Sequence, residues 1–249
     1  MLRARSLFVA ALVVCLVPAT AFAVETERFH KVVPLGAGGT LKINNFSGEI
    51  RITGADVSQV TIDAVRRGER EQLDHIKLDV AVSGTTVTVE ANKKDEGWEK
   101  RDKNVVETDF VIQVPRQTTL DVHAFSSAVF VSGVTAPQTL NTFSGRVEVQ
   151  DGPASLRVKT FSGRVDLRFA ADALEPEANI ETFSGGIDLR VNDGIRGKLE
   201  FNTFNGDLRS DLPITLQRQS RRHLVGEIGG GGGRELQLRT FSGDVTISK

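Results

Sequence analysis

The sequence predicts an all-β protein: a β-solenoid with two short strands per coil, a period of about 20 residues, and an N-terminal antiparallel β meander as its cap. Three observations carry this. The stretch LNTFSGRVEV, from Leu140 to Val149, returns as VKTFSGRVDL and again as IETFSGGIDL. The runs flanking each copy alternate apolar and polar residues, the mark of half-buried strands. Turn chemistry such as Asp151-Gly152-Pro153 separates the runs.

Residues 1–23 read as a secretory signal peptide, with Arg3 and Arg5, an apolar run from Leu7 to Val17, and an A-x-A site at Ala21-Phe22-Ala23. The run is shorter than the about 20 residues that a spanning helix needs. Leu12, Val13 and Val14 precede Cys15, where lipoprotein processing wants a small residue, so no lipid anchor is expected. Cleavage removes Arg3 and Arg5, so the 31 basic residues fall to 29 against 32 acids, a net charge of −3. It also removes Cys15, leaving a mature chain with neither disulfide nor thiol chemistry. The near-neutral balance argues against a nucleic-acid partner, which calls for a basic excess. No second long apolar stretch follows, so no transmembrane segment is expected after cleavage. The product is expected to be exported, to the periplasm or the cell surface.

Residues 24–120 form an N-terminal β region that opens on a first repeat, INNFSGEIRI, with Phe46 and Gly48. The segments VSQVTIDAVRRG, HIKLDVAVSG, TTVTVEANKK and VVETDFVIQVP also alternate but do not keep the period. Residues 57–120 are therefore expected to be a meander covering the N-terminal end of the stack, since an open end leaves backbone unpaired.

Residues 121–249 hold the solenoid repeats, continuous with the N-terminal region as one domain. The copies align on Phe125, Phe143, Phe161, Phe183, Phe204 and Phe241, in steps of 18, 18, 22, 21 and 37 residues. The long last step predicts a degenerate copy, and RHLVGEIGG supplies one, with Leu224 in the Phe slot and Gly226 in the Gly slot. The six steps between seven corners predict a rod of roughly 29 Å at strand spacing. The chain stops at Ser248-Lys249, directly after the last repeat strand. This predicts an open C-terminal edge, blunted by Lys249 or paired with another molecule in self-association.

The Phe-Ser-Gly corner follows from parity. Leu140 and Thr142 set one inward register and Val147 and Val149 another, so the alternation must break between them. Gly145, Gly163, Gly185, Gly206 and Gly243 occupy that bend, and Gly163 and Gly185 are expected to sit at equivalent corners with positive φ. Stacking would set Phe over Phe, and Thr over Thr with hydrogen bonds between the hydroxyls. Burial of large aromatics is the default, so the Phe column is expected to face inward, an outward aromatic ribbon being the alternative.

Little in the chain points to catalysis. His30, His75, His123 and His223 are scattered, so no metal site is expected, and no cofactor motif is present. GEIGGGGGR lacks the Lys-Ser/Thr of a phosphate loop and reads as a turn. No G-x-S-x-G occurs. The candidate ligand face is the outer side of the strand after each corner, where stacking gathers Arg146, Glu148, Arg164, Asp166, Asp188 and Arg190. Its bland reading is a solvated lattice of ion pairs. Its sharper reading is a groove that binds or cleaves an acidic polysaccharide.

The signal peptide, INNFSGEIRITGADVSQVTIDAVRRG, the tandem T-F-S-G-x-V-x-L copies and the closing GEIGGGGGRELQLRTFSGDVTI together resemble a bacterial exported family of unknown function labelled "putative adhesin". The likeness runs from about Val33 to Lys249. It implies a β-solenoid in the cell envelope and carries no catalytic residues over. Phe before Ser-Gly departs from the smaller residues common in relatives. The expected function is a non-enzymatic interaction or scaffold module, with an envelope protein or a glycan as partner. Polysaccharide binding or cleavage on the charged ladder is the alternative.

Overall fold

The computed structural model describes residues 24–98 and 105–249; the expected signal peptide lies outside the described residues. Among these the chain is all-β save for one short helix, and its 19 strands join in one large mixed sheet. The N-terminal part runs β1 (Glu25–Pro34), β2 (Thr40–Ala55), β3 (Gln59–Gly68), α1 (Arg70–His75), β4 (Ile76–Ser83), β5 (Thr86–Lys94), β6 (Glu107–Pro115) and β7 (Thr119–Ser132). Shorter strands follow in pairs split by a corner. They are β8 (Gln138–Ser144) with β9 (Val147–Gly152), β10 (Ser155–Ser162) with β11 (Val165–Phe169), and β12 (Glu177–Ser184) with β13 (Ile187–Arg190). The chain ends with β14 (Gly197–Asn205), β15 (Leu208–Ser210), β16 (Ile214–Gln219), β17 (His223–Ile228), β18 (Glu235–Ser242) and β19 (Val245–Ser248).

Parallel, in-register pairing stacks these pieces. β5 and β6 lie on β2, and β2 lies on β7, with Ile43 beside Val122 and Ile50 beside Val129. β7 then takes β8 and β9, which take β10 and β11, which take β12 and β13. The alternation read from sequence becomes columns of inward side chains. Val122, Leu140, Val158, Ile180 and Leu238 stack from the strand before the corner, and Val129, Val147, Val165, Ile187 and Val245 from the strand after it. All ten are buried, and the core lies between the two faces. Each fully buried aliphatic side chain is worth about 1.5–3 kcal/mol of transfer free energy, and without disulfides these columns are the main source of stability.

The C-terminal order differs from the sequential stack. β18 pairs with β12 on one side and β14 on the other, and β19 likewise lies between β13 and β15. The last coil in sequence is thus inserted before the one that precedes it. The expected open C-terminal edge is closed, and strand addition there has no free backbone to use. Leu224 and Gly226 do not form a repeat corner either. They belong to β17, which runs antiparallel to β14, placing Leu224 opposite Phe201 and Gly226 opposite Leu199. β16 follows antiparallel on β17. Strand direction is not encoded in a period-two pattern, so an alignment of letters counted an antiparallel hairpin as a coil. The glycine run turns the chain from β17 into β18, with Gly229, Gly230 and Gly231 at φ of 63°, 85° and 82°.

At the other end the expected meander divides. β5 and β6 join the parallel stack, while β4 pairs antiparallel with β5, β3 with β6 and β1 with β3. The buried Arg66 fastens these outer strands, pairing with Glu27 on β1 and donating to the Ile76 carbonyl on β4. Helix α1, in the segment read as strands, is closed by a capping box in which the Glu69 amide donates to Gln72 Oε1 at 2.8 Å.

Candidate functional site

The corner decides which way the aromatic points. Leu140 and Thr142 are buried, so the unbroken alternation sends Asn141 and Phe143 outward. The break falls after the Phe, at Ser144-Gly145, and Val147 resumes inward. Every copy repeats this geometry. Phe46, Phe125, Phe143, Phe161, Phe183, Phe204 and Phe241 are 41–51% exposed, against the expectation of burial. The buried column is instead threonine: Thr142, Thr160, Thr182, Thr203 and Thr240.

The threonine hydroxyls do not bond one another as expected. Thr182 Oγ1 donates to the Gly185 carbonyl at 3.0 Å and Thr142 Oγ1 to the Ser144 carbonyl at 3.3 Å, tightening their own corners. Two deviant copies sit next to each other. Asn45 stands in the Thr slot and Ser127 in the Gly slot, and Asn45 Nδ2 donates to Ser127 Oγ at 3.2 Å and to the Thr108 carbonyl at 3.1 Å.

The glycines are required mainly by crowding between layers. Gly145 and Gly185 have φ of 144° and 152°, but Gly163 does not share the expected positive φ. What it shares is proximity: a Cβ on Gly163 would stand 2.0 Å from the Gly145 carbonyl oxygen, and one on Gly185 would stand 2.0 Å from that of Gly163. Gly48, Gly206 and Gly243 meet a carbonyl oxygen at 2.1–2.3 Å in the same way.

This close stacking aligns the rings. The ladder runs Phe46, Phe125, Phe143, Phe161, Phe183, Phe241, Phe204, with centroids 4.6–4.8 Å apart. From Phe125 onward the ring planes lie within 2–4° of parallel. Each inner ring has both faces covered by its neighbours, so the ladder shows solvent the ring edges. At one end the Arg222 guanidinium lies over Phe204, 4.1 Å from its centroid.

A groove follows the ladder on the side of the preceding strand. Three hollows of about 450, 460 and 520 Å³ lie along it, adjacent ones sharing Ala124 or Thr182. One wall is the Phe edges. The other is the outward column two residues earlier, with His123, Asn141, Lys159, Glu181 and Arg239. Its charged groups have partners in place, one carboxylate serving two cations: Lys159 meets Glu181 at 2.9 Å, Arg239 meets Glu181 at 3.6 Å and His123 meets Asp121 at 2.9 Å.

The charged face expected to hold a ligand is also assembled. Arg146 Nε donates to Asp166 at 2.8 Å and its guanidinium meets Glu148 at 3.2 Å; Arg164 Nε donates to Asp188 at 2.6 Å and meets Asp166 at 3.3 Å. Hydrogen bonding and charge from Asp188 raise the Arg164 pKa above its ordinary value. Glu148, Asp166 and Asp188 each have an arginine, and with Arg190 they surround a hollow of only about 80 Å³. This is a lattice of cross-strand ion pairs around a hollow too small to seat a sugar ring. The histidines stay apart, and among the described residues no cluster of three or more His, Cys, Asp or Glu could hold a metal ion. No helix among them is long and apolar enough to cross a membrane.

A family model described as Toastrack DUF4097 matches residues 116–248. A "putative cell adhesion protein" from Clostridium sporogenes superposes with a TM-score of 0.55 at 13% identity, covering 90% of this chain and 99% of that one. A "putative adhesin" from Bacteroides fragilis gives a TM-score of 0.41 at 12% identity, covering 89% and 96%. No curated protein matches the chain. At such identities the likeness speaks for the fold alone.

Proposed function

Because this chain belongs to the Toastrack family DUF4097, we propose that it is a non-enzymatic, exported interaction module of the cell envelope whose binding surface is the phenylalanine ladder. The scaffold is a β-solenoid of period near 20 residues, covered at one end by β1, β3 and β4 and at the other, over β14, by β16 and β17. One observation carries the reading. A large aromatic, Phe, is present in every one of the seven corner copies, and all seven lie in one exposed row. Monomeric proteins rarely expose contiguous apolar patches beyond a few hundred Å², and such patches mark interaction sites. The adhesion names of structural neighbours agree with such a role but add no residue to it.

The test is retention of the mature chain, residues 24–249, on isolated envelope fractions and on a panel of immobilised glycans. The wild type is expected to be retained on at least one of them and Phe161→Ser/Phe183→Ser to be lost. Equal retention of both proteins would remove the ladder from the function. A reducing-end assay on the same glycans addresses cleavage by the charged face, and no turnover is expected.

A further inference from the structure

The ladder's relief and spacing say what it can hold. We infer that its occupant is a second copy of this chain, packed ladder against groove; this rests on the ladder being a binding surface at all. The first argument is pitch. An occupant that touches every ring edge along six steps of 4.6–4.8 Å, about 28 Å in all, must itself repeat at that spacing. A β-ladder does so by construction, and a second copy is certain to match. The second argument is ring orientation. Sugars and other planar ligands stack on aromatic faces, and here the inner faces are already covered. Edges remain, and interdigitated edges are how identical β-ladders form dry zippers.

The third argument is relief. A ridge beside a groove of similar length is self-complementary under a two-fold axis, each copy's ridge entering the other's groove. Charge permits it. Two identical faces repel in proportion to their net charge, and this column carries a small one: Lys159 and Arg239 share Glu181, which leaves a single positive charge. Area suffices. Seven rings each 41–51% exposed offer about 600 Å² per copy. A pair would bury about 1,200 Å² from the rings alone, the lower bound for a specific interface.

Sedimentation of residues 24–249 from about 1 to 100 μM, concentrations that bracket a micromolar Kd, tests the inference. The wild type is expected to sediment as a dimer. Phe161→Ser/Phe183→Ser should weaken dimerisation at least about 100-fold, since central aromatic anchors dominate interface energies. Asn141→Trp leaves the ladder whole and fills the groove, so it should have the same effect even if the serine variant folds poorly. A wild type that stays monomeric throughout overturns the inference, as do both variants dimerising like wild type. The envelope assay separates the two claims: ladder-dependent retention by a monomer sinks the second copy and keeps the binding surface. Retention and dimerisation both indifferent to the ladder sink both.

Discussion

Replacing Gly163 with alanine isolates the feature that holds the corners together. Its φ is not in the left-handed region, so the backbone itself tolerates alanine. The obstacle is the next layer: the new Cβ would stand 2.0 Å from the Gly145 oxygen and 2.8 Å from its carbonyl carbon, where ordinary contact begins at 3.4 Å. Neither atom belongs to a side chain that could rotate away. The corner must open by more than 1 Å, a large fraction of the 4.8 Å between the rings above it. The bonds from Gly145 N to the Ser162 carbonyl, 3.1 Å, and from Val147 N to the Arg164 carbonyl, 3.0 Å, lie across that opening. Overpacking costs about 1–3 kcal/mol and each weakened hydrogen bond up to about 1 kcal/mol. A total of about 3 kcal/mol lowers the Tm of a chain this size by roughly 6–12 °C. Gly36→Ala is the control, since nothing lies within 4 Å of its added Cβ. Thermal unfolding followed by circular dichroism measures both variants. If Gly163→Ala melts within about 1 °C of Gly36→Ala, the crowding argument is wrong.

Other outcomes follow from the same geometry. Gln237 Nε2 and Asn202 Nδ2 each donate to Glu200 at 2.8 Å and hold its carboxyl below the usual 4.5. A depressed acid contributes stability that is fully present above its unfolded pKa and lost as pH falls through the folded one. Tm should therefore drop more steeply below about pH 4.5 in wild type than in Glu200→Gln, and parallel profiles would contradict this. Arg164→Ala removes contacts to Asp166 and Asp188 from a side chain 62% exposed, so denaturant titration should find a loss within about 1 kcal/mol. The inserted last coil makes Ser242 the register neighbour of both Ser184 and Asn205. Ser184→Cys/Ser242→Cys should oxidise to a disulfide on non-reducing electrophoresis. Ser184→Cys/Asn205→Cys, two layers apart at about 10 Å, should not.

Residue pattern revealed the fold's repeat and hid its order. Val147 and Val149, or Leu156 and Val158, announce half-buried strands because one face of each is dry, and the glycines mark the corners. Three things were less legible. The polarity of β17 is invisible in HLVGEI, which reads the same in either direction along a sheet. The insertion of β18 and β19 depends on long-range pairing that no local pattern records. Helix α1 had a signal, Glu69 and Gln72 spaced as a capping box, but its six residues are too few for a helical period to show. The outward Phe was readable. Alternation runs unbroken from Leu140 to Phe143 and fails only at the glycine beyond, so parity alone points the ring out, and the habit of burying aromatics points the wrong way. What the residues of the charged face do to one another, pairing every acid, appears only with side chains in place.

Hydroxyl-radical footprinting of residues 24–249, at sub-micromolar protein so that copies do not shield one another, reads the exposure of the ladder ring by ring. Phe143, Phe161, Phe183 and Phe241 should be oxidised many times faster than Phe110 and Phe169, which are 1% and 5% exposed. Ladder rings as protected as Phe110 would place them inside the stack and leave the protein without the surface on which its proposed function rests.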